Sequence, residues 1–363
     1  MSLQILDYSD KDLFLLGDLH GEFRKLLYLI KERNTPPPAR KYLSGPKMTN
    51  PNSVYPENCV MIVCGDCGMG FNKTEYYAIE LQRLQRELEK KNIILLMLRG
   101  NHDDPEYFET VEGKFNFPNI KFIPDYTVLK TKGNVSLCIG GAISYDRSWR
   151  LKENERLNKY RKTSKKSVYW KNEGVKQNNE LIDELNSNGV KINSIISHTI
   201  PFDFLDENYC FLTTDNEWFK ADPNVKKDID RESAILKKLL NKLTENGHEV
   251  KWWTFGHTHR GNIKWHTQDD KQIALVNLGI VESLKVIQMD LHRGLGLGIA
   301  LASEINTAIK MFAESASELS LKSKYARPLT FGMSEPIFAN ISHEVMEELI
   351  EAAINRGYNQ DNE

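Results

Sequence analysis

Seven side chains able to bind a divalent metal are spread along the sequence, each close behind a short apolar run. Asp18 and His20 stand in LLGDLHGEF, Asp66 in CGDC, Asn101 in RGNHDD beside His102 and Asp103, His198 in SHTIP, and His257 and His259 in GHTH. A lone D-x-H pair is compatible with an ordinary turn, so the weight lies in the recurrence: five apolar runs lead into carboxylate, imidazole or amide. That mixture of oxygen and nitrogen donors suits Mn, Fe or Zn better than Ca or Mg alone. Seven donors exceed what one ion usually takes from protein, which makes two ions the economical reading.

Such donors meet only if the elements carrying them converge. The runs are 13–16 (LFLL), 59–64 (CVMIVC), 93–98 (IILLML), 192–196 (INSII) and 251–255 (KWWTF), and their length and branched aliphatic content predict strands. Phe23, Leu26, Leu27 and Ile30 have the spacing of one buried helix face, and residues 73–91 and 232–245 also read as helices. Alternating strands and helices give an α/β chain whose ligands gather outside the carboxyl ends of the strands. Further strand-like runs at 135–139, 262–266, 273–277 and 284–289 fill a second sheet. The expected architecture is α/β, a two-sheet β-sandwich flanked by helices. Helical segments at 301–318 and 342–356 add a C-terminal extension over 291–363, behind a main domain of 1–290.

The motifs D-x-H, GD, GNH[DE], H and GHxH occur in order at 18–20, 65–66, 100–103, 198 and 256–259, and over residues 12 to about 290 the sequence resembles the calcineurin-like metallophosphoesterase superfamily. The resemblance implies that Asp18, His20, Asp66 and His259 hold one metal and that Asp66, Asn101, His198 and His257 hold the other, with Asp66 as the bridge. It implies a general acid at His102, with Asp103 orienting it. The chemistry accounts for these residue types. Phosphate esters repel hydroxide, so a site must supply a nucleophile at neutral pH and neutralise the phosphoryl oxygens. Two ions about 4 Å apart, sharing a hydroxide, do both. Mn is the first expectation for the ions, with Fe, Zn or Ni as alternatives.

Departures from better-known relatives narrow the expectation. Serine/threonine phosphoprotein phosphatases place an arginine four residues after the bridging aspartate, where this chain has Gly70; they read GNHE, and their last motif lacks the histidine supplied here by His259. Purple acid phosphatases place a tyrosine where Met69 stands. The expected function is therefore a two-metal phosphodiesterase or a nucleotide or nucleic-acid phosphohydrolase. A phosphoprotein phosphatase is the alternative and a noncatalytic scaffold a remote one.

Plainer readings hold for other residues. His248, His266, His292 and His343 sit in no matching motif, and Cys64 and Cys67 have C-x-x-C spacing without a second pair. Arg99 is a candidate for touching substrate phosphate, or equally the partner of a neighbouring acid.

Composition sets the remaining bounds. Lys and Arg number 48 against 50 for Asp and Glu, so global charge favours neither nucleic acid nor an anionic membrane. Five scattered cysteines and no charged-then-apolar leader point to a cytoplasmic protein, and no run approaches the roughly 20 apolar residues of a membrane span. Six of the thirteen prolines fall in 34–58, read as a long loop, and 202–230 reads as an insertion. A second insertion, 147–171, carries ten basic residues with Trp149, Tyr160, Tyr169 and Trp170 among them. It is either a solvated surface or a polyanion contact, with Lys159, Arg161 and Lys162 as candidates for binding a nucleotide or single-stranded nucleic acid.

Overall fold

The computed structural model describes residues 3–31, 57–110, 114–160, 167–205, 217–259, 262–268, 271–279 and 283–286. In chain order the strands are β1 (Ile5–Tyr8), β2 (Asp12–Leu16), β3 (Cys59–Val63), β4 (Ile94–Leu98), β5 (Ile120–Ile123), β6 (Thr127–Thr131), β7 (Asn134–Ile139), β8 (Ser194–Ser197), β9 (Trp252–Phe255), β10 (Asn262–Gln268), β11 (Lys271–Asn277) and β12 (Ser283–Val286). The helices are α1 (Phe23–Lys31), α2 (Thr74–Lys90), α3 (Arg147–Tyr160), α4 (Leu181–Ser187), α5 (Glu217–Ala221) and α6 (Pro223–Glu245). One sheet has the order β1-β6-β7-β8-β9-β11-β10 and the other β12-β2-β3-β4-β5.

The unbroken apolar runs have a simple cause: their strands are covered on both faces. In β2 and β3, Leu13, Leu15, Val60 and Ile62 point between the sheets, where they meet Leu129, Cys138, Ile196, Trp252 and Val276 of the larger sheet. The alternate residues Phe14, Leu16, Met61 and Val63 point outward onto Phe23, Leu26 and Ile30 of α1 and Tyr77, Leu81, Leu84 and Leu88 of α2. The larger sheet repeats the arrangement, with Leu137, Ile195 and Trp253 facing Leu181 and Leu185 of α4 and Leu236, Leu240 and Leu243 of α6. β2 to β5 run parallel, as do β7 to β9, so the loops after β2, β3, β4, β8 and β9 are those that carry the candidate ligands.

Three strands had no apolar run to mark them. β1, β5 and β6 are four or five residues long and are interrupted by Asp7, Lys121 and Lys130. The segment expected as an insertion over 202–230 already contains the start of α6, nine residues before the predicted start at 232. Asp222 caps it, accepting the Asn224 N–H at 3.0 Å, and Pro223 occupies the first helical position, where a missing N–H costs nothing. The predicted helices at 301–318 and 342–356 and most of the 34–58 loop lie outside the described residues.

Arg99 takes the second of its two readings, the partner of an acid. Its side chain is buried, and its guanidinium donates to the Asp125 carboxylate (3.0 Å) and to the carbonyls of Glu173 (2.6 Å), Gly174 (3.2 Å) and Gly140 (3.3 Å). Both terminal nitrogens of the guanidinium are turned to protein, so the side chain clamps loops together. Arg99→Met leaves Asp125 and several carbonyls without their donor, and urea unfolding is expected to show a loss of about 3 kcal/mol. A loss indistinguishable from zero would remove Arg99 as a clamp.

Candidate metal centre

The backbone is already unusual where the loops converge. His20, Asp66, His257 and His259 all adopt positive φ, between 46° and 66°. Such strain persists only where the surroundings impose it. Gly100 lets the loops close: a Cβ there would lie 2.1 Å from Asp66 Oδ1.

Asp18, His20, Asp66 and His259 each offer a donor atom, and these atoms lie within 4.8 Å of one another. His259 Nε2 is 3.0 Å from Asp18 Oδ2 and 2.9 Å from His20 Nε2, which in turn lies 3.7 Å from Asp18 Oδ2 and 3.8 Å from Asp66 Oδ2. Asp66 Oδ2 is buried and has no hydrogen-bond partner. A buried carboxylate oxygen left without a donor, facing crowded imidazole nitrogens, fits a divalent cation.

Asp66 Oδ1 faces a second group. His198 Nε2 lies 3.2 Å from it and 2.9 Å from Asn101 Oδ1. A carbonyl only accepts, so the 2.8 Å contact of His198 Nδ1 with the Cys64 carbonyl puts a ring proton on Nδ1 and makes Nε2, turned to Asp66 and Asn101, the atom that would ligate a metal once it gives up its own proton. His257 flanks this group, its ring centroid 5.0 Å from that of His198, and its backbone N–H donates to Asp18 Oδ1 at 3.0 Å. Burial opposes ionisation of Asp66, yet the imidazoles of His102, His198 and His20 hold its carboxyl well below the ordinary range. Burial likewise opposes a charge on His198, and Asp66 outweighs it, raising the imidazole to about 9.

Asn101 is held by residues the sequence did not single out. Its Nδ2 donates to Ser144 Oγ (2.8 Å), and Ser144 donates through Oγ (2.6 Å) and N (2.9 Å) to the buried Glu173 carboxylate. That bond sets which end of the amide is nitrogen, so Oδ1 is the atom turned to His198 Nε2 and the candidate ligand. Burial pushes Glu173 up to about 8, against the Ser144 donors. Arg99 fixes the Glu173 loop by its carbonyls, and Glu232 of α6 accepts the Val175 N–H at 2.9 Å. Ser144 and Glu173 are 29 residues apart, and nothing local in the sequence marks them as a pair.

His102 lies near both groups, with Nε2 3.9 Å from Asp66 Oδ2 and its ring centroid 4.9 Å from that of His20. Its backbone N–H donates to Asp66 Oδ1 at 2.7 Å. Asp103 does not orient it. The buried Asp103 carboxylate accepts the N–H groups of Cys67, Gly68, Met69 and Gly100 at 2.8–2.9 Å and so ties the GD loop to the GNH loop. Burial and the Asp66 charge push it up to about 7, while those donors pull it down. Arg150 of α3, also missed, points Nη2 at the His102 imidazole. Burial, opposed by Asp66 and assisted by Arg150, brings His102 down to about 4.

Lys159 is exposed in the last turn of α3, about 13 Å farther along the helix axis than Arg150 at 1.5 Å per residue. Arg161 and Lys162 lie outside the described residues. His248 accepts the Ile192 N–H at 3.0 Å, His266 stacks on Phe204, and Cys64 and Cys67 are buried free thiols, all with structural surroundings.

A family model described as calcineurin-like phosphoesterase matches residues 13–261. The chain belongs to this family. It is a metal-dependent phosphoester hydrolase of a binuclear metal family, and the Asp18 cluster is a candidate ligand set. No curated protein matches the chain. Among solved structures, it is similar to the cold-active protein-tyrosine phosphatase of a psychrophilic Shewanella species, at 13% identity over 78% of each chain with a TM-score of 0.30. A second structure of a cold-active protein tyrosine phosphatase gives 12% identity over 82% of this chain and 79% of that one, with a TM-score of 0.32. Likenesses this weak decide nothing about substrate. No helix among the described residues is long and apolar enough to cross a membrane.

Ser144→Ala removes the acceptor that holds the Asn101 amide. Calorimetric Mn titration is expected to show roughly 10- to 100-fold weaker binding of one equivalent and an unchanged second equivalent. Equal weakening of both, or of neither, would contradict the orienting role.

Proposed function

We propose that this chain is a two-metal phosphodiesterase or nucleotide phosphohydrolase. Asp18, His20, Asp66 and His259 would hold one ion and Asp66, Asn101, His198 and His257 the other, with Mn the first expectation and Fe, Zn or Ni as alternatives. The ions supply a nucleophile at neutral pH and charge to offset the phosphoryl oxygens. The chain's own residues supply position and a proton. Asp66 is fixed by its turn and by the His102 N–H, so its two oxygens face the two ligand groups. His102, with Nε2 3.9 Å from Asp66 Oδ2, would protonate the leaving oxygen. A phosphoryl anion arriving beside it raises its proton affinity, countering the burial and the Arg150 charge that lower it.

One observation carries the substrate reading: an aromatic wall beside the proton donor. Phe71 lies 6.2 Å from the His102 ring and meets Trp170 edge to face at 5.2 Å, and both are partly exposed. A base in the leaving group gains roughly 1–3 kcal/mol by stacking there, whereas a seryl or threonyl leaving group offers no ring to such a wall. The exposed lysines of the 147–171 segment would add attraction for a polyanion.

Three outcomes are expected. In a Mn-supplemented panel, dinucleotides, cyclic nucleotides and nucleotide esters turn over faster than phosphoseryl peptides, and the reverse order would defeat the substrate reading. Asp66→Asn protein, folded by circular dichroism, retains neither equivalent of metal and no activity; wild-type metal content would sink the shared-ligand assignment. His102→Ala keeps its metal yet slows alkyl esters by about 10²- to 10⁴-fold, while p-nitrophenyl esters, whose leaving group needs little protonation, lose much less. Equal losses on both would remove His102 as the acid.

A further inference from the structure

The inserted segment 147–171 reaches the site twice, and the two contacts complement one another. Trp170 closes one approach. Gly70 sits at φ 108°, and a Cβ there would lie 2.8 Å from Trp170 Cζ2 and 2.6 Å from Asp104 Cβ. A long side chain therefore cannot enter from the loop after β3, four residues beyond Asp66. Arg150 makes the second contact, at the His102 ring. It is buried in the first turn of α3, with Nε donating to Asp146 Oδ1 at 2.6 Å and Nη1 to the Val168 carbonyl at 3.0 Å. Those two bonds fix the plane of the guanidinium. Nη2 is left pointing at the His102 ring, on the side of His102 that neighbours Asp66 and His20. The helix itself is anchored a turn earlier, where Arg147 reaches Asp222 (3.0 Å) and Asp228 (2.7 Å) of the α6 region.

Asp146 balances the guanidinium at Nε and the Val168 carbonyl holds Nη1, while the Nη2 end faces an imidazole and no anion. A phosphoryl oxygen beside His102 would give that end a charge-assisted acceptor, in a geometry that guanidinium donors suit. We propose that Arg150 grips the phosphoryl group of the substrate, so that the inserted helix, and not the loop after Asp66, provides the cation of the binding site. The proposal rests on the phosphoesterase reading above and adds a binding residue to it.

The test uses the full chain loaded with Mn and inorganic phosphate as the probe. Wild type, Arg150→Gln, Arg150→Lys and Arg156→Ala are compared for the inhibition constant of inorganic phosphate, for KM and kcat on one ester, for bound metal and for melting temperature. Arg156 lies on the same helix and pairs with Glu153, so its removal controls for a general change of charge. Arg150→Gln is expected to weaken phosphate inhibition and raise KM by roughly 10- to 100-fold with two equivalents of metal retained. Arg150→Lys is expected to recover part of that loss, because the charge returns without the fork, and Arg156→Ala to match wild type. Unchanged phosphate inhibition in either Arg150 variant with wild-type metal content overturns the proposal alone. Should Arg150→Gln melt early, the partial recovery by Arg150→Lys at equal metal content is the deciding comparison, and a lysine variant no better than glutamine overturns it. A wild-type protein that neither hydrolyses esters nor responds to phosphate overturns the phosphoesterase reading, and the Arg150 assignment falls with it.

Discussion

Everything in the site is arranged about one buried carboxylate. Asp66 sits in the left-handed region of backbone space, at φ 49°, three residues beyond the end of the central strand of the smaller sheet. There its Oδ1 faces His198 while its Oδ2 lies near His20 without a hydrogen bond. Neither the conformation nor the orphaned oxygen is stable by itself. Both become favourable when positive charge lies on each side, which the imidazoles supply in part and two divalent ions would supply fully. The strain of one residue is thus supported by a sandwich whose strands are buried on both faces.

The support is specific. Asp103 holds the turn that carries Asp66 by four backbone N–H groups. Arg99 gathers carbonyls from the loops on the opposite side and so sets Glu173, which sets Ser144, which sets the amide of Asn101. Arg99, read as a phosphate contact or equally as the partner of an acid, and Asp103, read as orienting His102, both brace loops in this chain of contacts. Their burial explains the difference. A charged side chain next to a ligand motif can reach substrate or brace the loop, and only its surroundings decide which.

The sequence showed most clearly what burial on two faces imposes. β2, β3 and β4 were legible because both the inter-sheet core and the helix layers demand apolar residues, and the candidate ligands were legible because they recur at strand ends in a fixed order. β1, β5 and β6 were hidden by Asp7, Lys121 and Lys130 in short strands. The start of α6 was signalled by Asp222 and Pro223, a cap and first-turn pair obscured by the polar context around it. Arg150 was counted among ten basic residues of one segment, and nothing in composition separates it from Lys159. The spacing of Asp146 and Arg150, one helical turn apart, was the available clue. Ser144 and Glu173 meet only through the tertiary fold.

The claim on which the account stands is that Asp66 is shared between two ions. Anomalous diffraction from crystals grown with Mn measures this directly. The account predicts two peaks, roughly 3.5–4 Å apart, one on each side of the Asp66 carboxylate, the first ringed by Asp18, His20 and His259 and the second by Asn101, His198 and His257. A single fully occupied peak, or two peaks that do not share Asp66, would contradict it.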